Sequence, residues 1–427
     1  MDNRLSALMG FLDASPSVYH AVENLVCELN KCGYACLSEG DAWNLVPGGK
    51  YYLTRGGSSV LAFRVPQGTP RGFMMSASHS DRPCFKLKEN GELVGNYTRL
   101  SVEKYGGMLM APWLDRPLSV AGRVMVETED GVQAKLVNID RDLMMIPNVA
   151  IHMNRQANEG YKWNPAVDML PLLGGKDAKG KLDALLEAEA GGKILGSDLY
   201  LYVRQKATVW GVDEEYLSAA GLDDLECAWG CTQGFLNAGD SESIPVLCVF
   251  DSEEVGSNSV QGAASTFLSD TLNRICDSLG LNLSRMLAQS FMVSADNAHA
   301  IHPNHPEFAD ANNAPAINGG VVLKFNAGQR YTTDGVSSAL FRKACAKAGV
   351  NVQTYYNRAD IAGGSTLGHV SLTQVSVPTA DIGLAQFAMH SCYETSGVKD
   401  AVALQDAMAA YYGSSLAVTP GGGYSLK

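Results

Sequence analysis

Nowhere in its 427 residues does the chain gather lysine and arginine into a cluster or stripe, which excludes an electrostatic docking surface for nucleic acid or for an anionic membrane. Charge is scarce altogether: 18% of residues are Asp, Glu, Lys or Arg, and 45 acids against 33 bases leave a net −12. No apolar stretch reaches the roughly 20 residues that span a bilayer. The start, Met1 to Asp13, lacks the basic region, long apolar run and small-residue cleavage site of a secretory leader. Ten cysteines are scattered along the chain, several inside apolar runs, which suits reduced core thiols. Cys227 and Cys231 stand four apart on an expected helix, but no second pair at zinc-finger spacing accompanies them. No repeat of about 20 to 50 residues occurs. These absences lead to the expectation of a cytoplasmic globular protein that meets neither nucleic acid nor membrane.

What the chain has is apolar content, 46% of its residues, enough for a deep core and two or three domains. Val18, Val22, Leu25 and Leu29 share one helical face after Ser15-Pro16-Ser17, so residues 16–32 are expected to be helical. Strands follow near 51–54 and 58–65, and then Gly72 to Ser78, a buried run that exits into His79-Ser80-Asp81-Arg82-Pro83. From about 91 to 220 the texture turns to strands and turns: 118–127, a turn at Asp130-Gly131, 132–139, a polar helix near 175–191, and 199–205. Helix and strand then alternate, with helices near 225–237, 260–279 and 336–348 and strands at Ile244 to Phe250 and 321–325. A last helix near 401–412 precedes a Gly-rich tail, 421–423, expected to be mobile. The pattern is that of a three-layer α/β/α domain, residues 1–90 and 221–427, interrupted by a mostly β insertion, residues 91–220.

The chemistry sits where buried strands end. Ile244 to Phe250 exits into Asp251-Ser252-Glu253-Glu254-Val255-Gly256, and open α/β sheets keep their ligands at the carboxyl ends of their strands. Taken alone, an acidic pair reads as a solvated turn. Yet His79 and Asp81 follow another strand, Asp223 precedes a helix, and Asp296 and His390 close further apolar runs. A hydrolytic two-metal site draws on such a set of carboxylates and imidazoles, plus a free carboxylate to move a proton. The tract His299-Ala300-Ile301-His302-Pro303-Asn304-His305 offers further imidazoles, although Pro303 interrupts the helix that would align them. Direct ligation and a supporting role both remain open for it.

Read in order, His79-Ser80-Asp81-Arg82-Pro83, Leu222-Asp223-Asp224-Leu225, Asp251 to Ser257, Ser294 to Asn304 and Met389-His390-Ser391 resemble the motifs of the M18 metallo-aminopeptidases, the aspartyl aminopeptidases and their relatives. The similarity runs nearly end to end and takes in Ile146 to His152 and Lys324 to Tyr331. The resemblance implies a zinc-exopeptidase-like catalytic domain with an inserted dimerisation domain. It implies two divalent ions, zinc or alternatively cobalt or manganese, bridged by Asp223, one also held by His79 and Asp296 and the other by Glu254 and His390. Glu253 would be the general base and Asp81 would orient His79. Lys324 and Tyr331 would line the substrate pocket, and His152 would reach the site of a neighbouring subunit. Dimers would assemble into a dodecamer, and the substrates would be peptides with an acidic first residue. The His299 tract becomes a supporting wall.

Three positions depart from the pattern: Arg82 replaces a small residue, Asp224 replaces an Asn, and Gly363 stands where a Cys is frequent. None removes a ligand, but Arg82 and Asp224 add charge beside the site. The competing readings are a co-catalytic zinc exopeptidase or deacylase of neutral or basic preference, and a catalytically silent scaffold relative.

Overall fold

The computed structural model describes residues 2–427. Its central feature is a nine-stranded sheet in which Ile244–Phe250, Phe73–His79, Phe291–Ala295 and Thr379–Gly383 lie side by side and parallel. Every residue of these four strands is buried, as continuous apolar runs require when both faces of a sheet are covered. Alternation assigns the faces. Met74, Leu247 and Val293 pack into one core with Leu8, Leu25, Leu225 and Leu404 from the helices Asn3–Asp13, Val18–Lys31, Leu222–Asn237 and Val398–Tyr412. Met75, Val246 and Met292 pack into the other with Phe267, Leu272 and Met286 from the helices Phe267–Leu279 and Leu283–Leu287. The result is the three-layer α/β/α arrangement expected from the alternating elements.

A second, antiparallel sheet of six strands is built from Cys84–Val94, Tyr97–Tyr105, Leu118–Thr128, Gly131–Asn138, Leu172–Gly175 and Ile194–Val203. It has its own core, with Phe85, Val102, Val120, Val124 and Leu201 against Leu182 and Leu186 of the helix Lys181–Ala190. Leu118–Thr128 and Gly131–Asn138 form the hairpin read from the sequence, closing at the Thr128 to Gly131 pair. The strand Cys84–Val94 runs through the expected boundary at residue 91, because its partner is Tyr97–Tyr105. Tyr216–Ala219 pairs with Glu394–Gly397 beside the larger sheet.

One local expectation fails, and the tail has a structure that the sequence pattern did not suggest. The helix expected from residue 260 begins at Phe267; before it the chain turns tightly, and a Cβ on Gly262 would lie 2.2 Å from the Ser257 carbonyl oxygen. The Gly-rich tail is a hairpin, Leu416–Thr419 against Gly423–Leu426, with Leu416 and Leu426 in the core. Gly421 and Gly422, at φ +90° and +82°, supply the left-handed turn. Among the described residues no helix is long and apolar enough to cross a membrane.

Candidate metal centre

Because the four central strands are parallel, their carboxyl ends meet at one edge. Phe250 stands in register with His79, and Ala295 with Ile382. The residues just beyond those ends, Asp81, Asp251 to Glu254 and Asp296, are therefore delivered together. Asp223 and Asp224 join them from the start of the helix Leu222–Asn237, where both have non-helical backbone angles. His390 arrives on a loop, at φ +66°.

Three groups of side chains converge closely enough to share an ion: His79 with Asp223, Asp224 and Asp296; His79 with Glu253 and Glu254; and Asp223 with Glu254 and His390. Asp223 lies between the imidazoles, 3.5 Å from His79 Nε2 and 3.4 Å from His390 Nε2. His390 Nε2 is also 3.4 Å from Glu254 Oε2. Asp224 Oδ2 accepts from the His79 backbone N–H at 3.2 Å. The Asp81 carboxylate lies 3.3 Å from His79 Nδ1 and accepts from the backbone N–H groups of Glu253 and Glu254 and from the Tyr105 hydroxyl, at 3.1, 3.2 and 2.7 Å. Asp81 thus fixes the ring so that Nε2 faces the centre, and it ties the acidic turn to the same anchor.

Lys324 and Tyr331 line the same cavity, of about 190 Å³, with Glu253, Asp296, His299, Thr366 and His390. Lys324 is fully buried, and its ammonium donates to the Asp296 and Asn297 carbonyls at 2.7 and 3.3 Å. His152 lies in an exposed turn and is not among the lining residues. Nor are Arg82 and Asp224. Arg82 points away, donating to the Pro16 and Ala220 carbonyls, whereas Asp224 stays within the metal-capable group. Cys227 and Cys231 are buried, and neither joins a metal-capable group among the described residues.

Two supporting residues escaped the sequence reading. Glu394, 1% exposed, accepts from the backbone N–H groups of Asp223 and His390 at 3.0 and 2.7 Å, bracing two elements at once. Tyr105 reaches Asp81 from the smaller sheet. Neither carries a local signal, since each acts across more than 20 positions of chain or through backbone atoms.

The charge balance fits bound cations. Burial, followed by neighbouring carboxylates, pushes Glu253 up to about 8 against an opposing pull from His79, and moves Glu254 and Asp224 well above the usual carboxylate range. Asp296 rises to about 6 for the same first reason. For Asp223 burial is outweighed by His390 and His79, which hold it below the usual range. Asp223 Oδ1, Asp224 Oδ1 and Glu254 Oε1 are buried without a hydrogen-bond partner. Orphaned oxygens beside imidazoles, in a site with more carboxylate than it can ionise, are the donor set of a divalent ion of the zinc type.

The aminopeptidase I zinc metalloprotease (M18) family model matches residues 11–412. A probable M18 family aminopeptidase 2 of Clostridium novyi (strain NT) is 42% identical over 409 residues, which cover 92% of this chain and 94% of that one. The structure solved as the Ape4 and Nbr1 complex superposes with a TM-score of 0.92 at 35% identity, over 96% of this chain and 85% of the other. A chain of the structure solved as the S. cerevisiae mApe1 dodecamer superposes with a TM-score of 0.84 at 26% identity, over 96% of each chain.

A stability consequence follows for the metal-free protein. Glu253 and Glu394, raised by burial to about 8, and Asp296, raised to about 6, hold protons in the folded state that the unfolded chain has released. The stability these groups contribute is therefore fully present below the ordinary carboxylate pKa and falls as pH rises from about 4 to 8. The melting temperature of chelated protein should drop across that window, whereas divalent ions, taking the place of those protons, should flatten the profile. Parallel profiles with and without metal would contradict this account.

Proposed function

The chain belongs to the M18 family of zinc metallo-aminopeptidases, and from that premise we propose that it removes N-terminal residues from peptides with two divalent ions per subunit. The observation that carries the two-ion reading is the position of Asp223, whose carboxylate oxygens face His79 on one side and His390 on the other at nearly equal distances. His79, Asp223 and Asp296 would hold one ion, and Asp223, Glu254 and His390 the second. When bound, the ions would polarise the scissile carbonyl and acidify water.

The remaining work falls to the chain's own groups. Glu253 lines the cavity, and burial raises its carboxyl to about 8 in the metal-free site. With cations beside it, Glu253 would be ionised, accept the proton of the attacking water and pass it to the leaving amine. Asp81 would keep His79 oriented. The Tyr331 phenol would hydrogen-bond the oxygen that gains charge in the transition state.

Lys324 is the one lysine or arginine among the cavity's lining residues. Two of its three donors are engaged by backbone carbonyls and its nitrogen stands 3.9 Å from Asp296 Oδ2, so a substrate carboxylate would share the third donor with Asp296. This supports an acidic first residue, with neutral residues as the alternative that the two engaged donors favour. We further infer that residues 91–220 form a dimerisation unit that brings His152 to a neighbouring copy, and that dimers build a dodecamer like that of mApe1.

Glu253→Gln should lower kcat by at least about a hundredfold while the metal content stays at the wild-type value; near-normal turnover would remove Glu253 from the base role. On chromogenic amides of Asp, Glu, Leu and Lys, kcat/KM should be highest for the acidic pair, and a preference for Leu or Lys would overturn that specificity. Light scattering should give a mass near twelve 45.5-kDa chains; a stable monomer would refute the assembly.

A further inference from the structure

The histidine tract is a sequence feature that contributes no side chain to the metal-capable groups: none of His299, His302 and His305 joins one among the described residues. His302 and His305 instead wall a groove of about 360 Å³ that lies beside the catalytic cavity and shares His299 and Gly364 with it. Resting on the aminopeptidase reading above, the geometry points to this groove as the subsite for the substrate residues that follow the scissile bond, with a preference for aromatic or large apolar side chains.

The two spaces divide a peptide naturally. The smaller cavity holds Glu253, Asp296, Lys324 and Tyr331, and an aminopeptidase places a single residue ahead of its scissile bond. The residues after that bond need a space adjoining the cavity, and this groove adjoins it at His299 and Gly364. The groove is lined by rings: His302 and His305 lie 5.4 Å apart between centroids, His302 and Phe387 6.0 Å, and His305 and Phe308 5.4 Å. Phe308 is 62% exposed, an apolar platform that gains by being covered.

Two polar side chains in the groove match a peptide backbone. Gln386 is 2% exposed; its Oε1 accepts from Asn297 at 2.9 Å, while its Nε2 is buried without a partner. Asn357 donates through Nδ2 to the Tyr355 hydroxyl at 2.8 Å, and its Oδ1 is buried without a partner. Buried polar atoms in native proteins are nearly always hydrogen-bonded. Both residues line the groove, and each carries one unpaired group, a donor on Gln386 and an acceptor on Asn357, of the kind that the C=O and N–H of an extended peptide would satisfy on reaching it. Gly363 borders this acceptor: a Cβ there would lie 2.2 Å from Asn357 Oδ1.

The test uses the metal-loaded assembly and three substrates with the same first residue: its simple amide, a tripeptide continuing Gly-Gly, and a tripeptide continuing Phe-Gly. The wild type should favour the Phe-containing tripeptide over the Gly-containing one. Phe308→Ala should lower kcat/KM on the Phe-containing tripeptide by roughly three- to tenfold, chiefly through KM, and leave the amide unchanged. Gly363→Ala, by shifting the Asn357 acceptor, should weaken both tripeptides alike and again spare the amide. Equal loss on the amide, unaltered tripeptide kinetics in both variants, or a changed native mass would overturn the subsite; the last result would make the groove a contact between copies. A wild type inactive on all three substrates with metal bound would overturn the aminopeptidase reading itself.

Discussion

Negative charge buried at the edge of an apolar sheet is the constraint on which the rest of this structure depends. Asp81, Asp223, Asp224 and Asp296 are each at most 7% exposed, with Glu253 and Glu254 beside them. Removing even one carboxylate from water without compensation is costly. Two imidazoles, one lysine and a set of backbone N–H groups offset part of that charge. The remainder calls for cations, which is why the same arrangement that is awkward for a metal-free fold suits a hydrolytic centre.

The surrounding architecture can be understood as support for that cluster. Parallel strands, covered on both faces by helices, supply a rigid platform whose ends project side chains from separate parts of the chain to one point. Asp81 and Glu394 then act as clamps. Asp81 gathers His79, the Glu253-Glu254 turn and, through Tyr105, the smaller sheet. Glu394 spans the backbones of Asp223 and His390. The smaller sheet is therefore tied to the centre as well as carrying its own core: a Cβ on Gly106 would meet Glu254 Cβ at 3.1 Å, so backbone from the one packs directly on a ligand candidate of the other.

Much of this was legible in the chain. The run Ile244 to Phe250 is a buried strand with the bounds its apolar pattern suggested, and His79, Asp223, Glu253, Glu254, Asp296 and His390, named at element ends, come together in the structure. Other features were hidden. The tail's hairpin depends on Leu416 and Leu426 finding the core, which glycine content alone does not disclose. Arg82 looked like a charge beside substrate, yet two carbonyls, those of Pro16 and Ala220, draw it away.

The sequence by itself determined which groups could carry the chemistry, because residue type fixes donor atoms and strand periodicity fixes where they emerge. Its ordered motifs also determined the family. Only the tertiary structure decided how those groups are shared: that Asp223 stands between two imidazoles, that Lys324 gives two of its three donors to backbone carbonyls, and that the histidine tract walls a groove. The physical reason is that these outcomes are distances and directions between segments tens to hundreds of residues apart, set by sheet register and packing, to which local sequence pattern is blind.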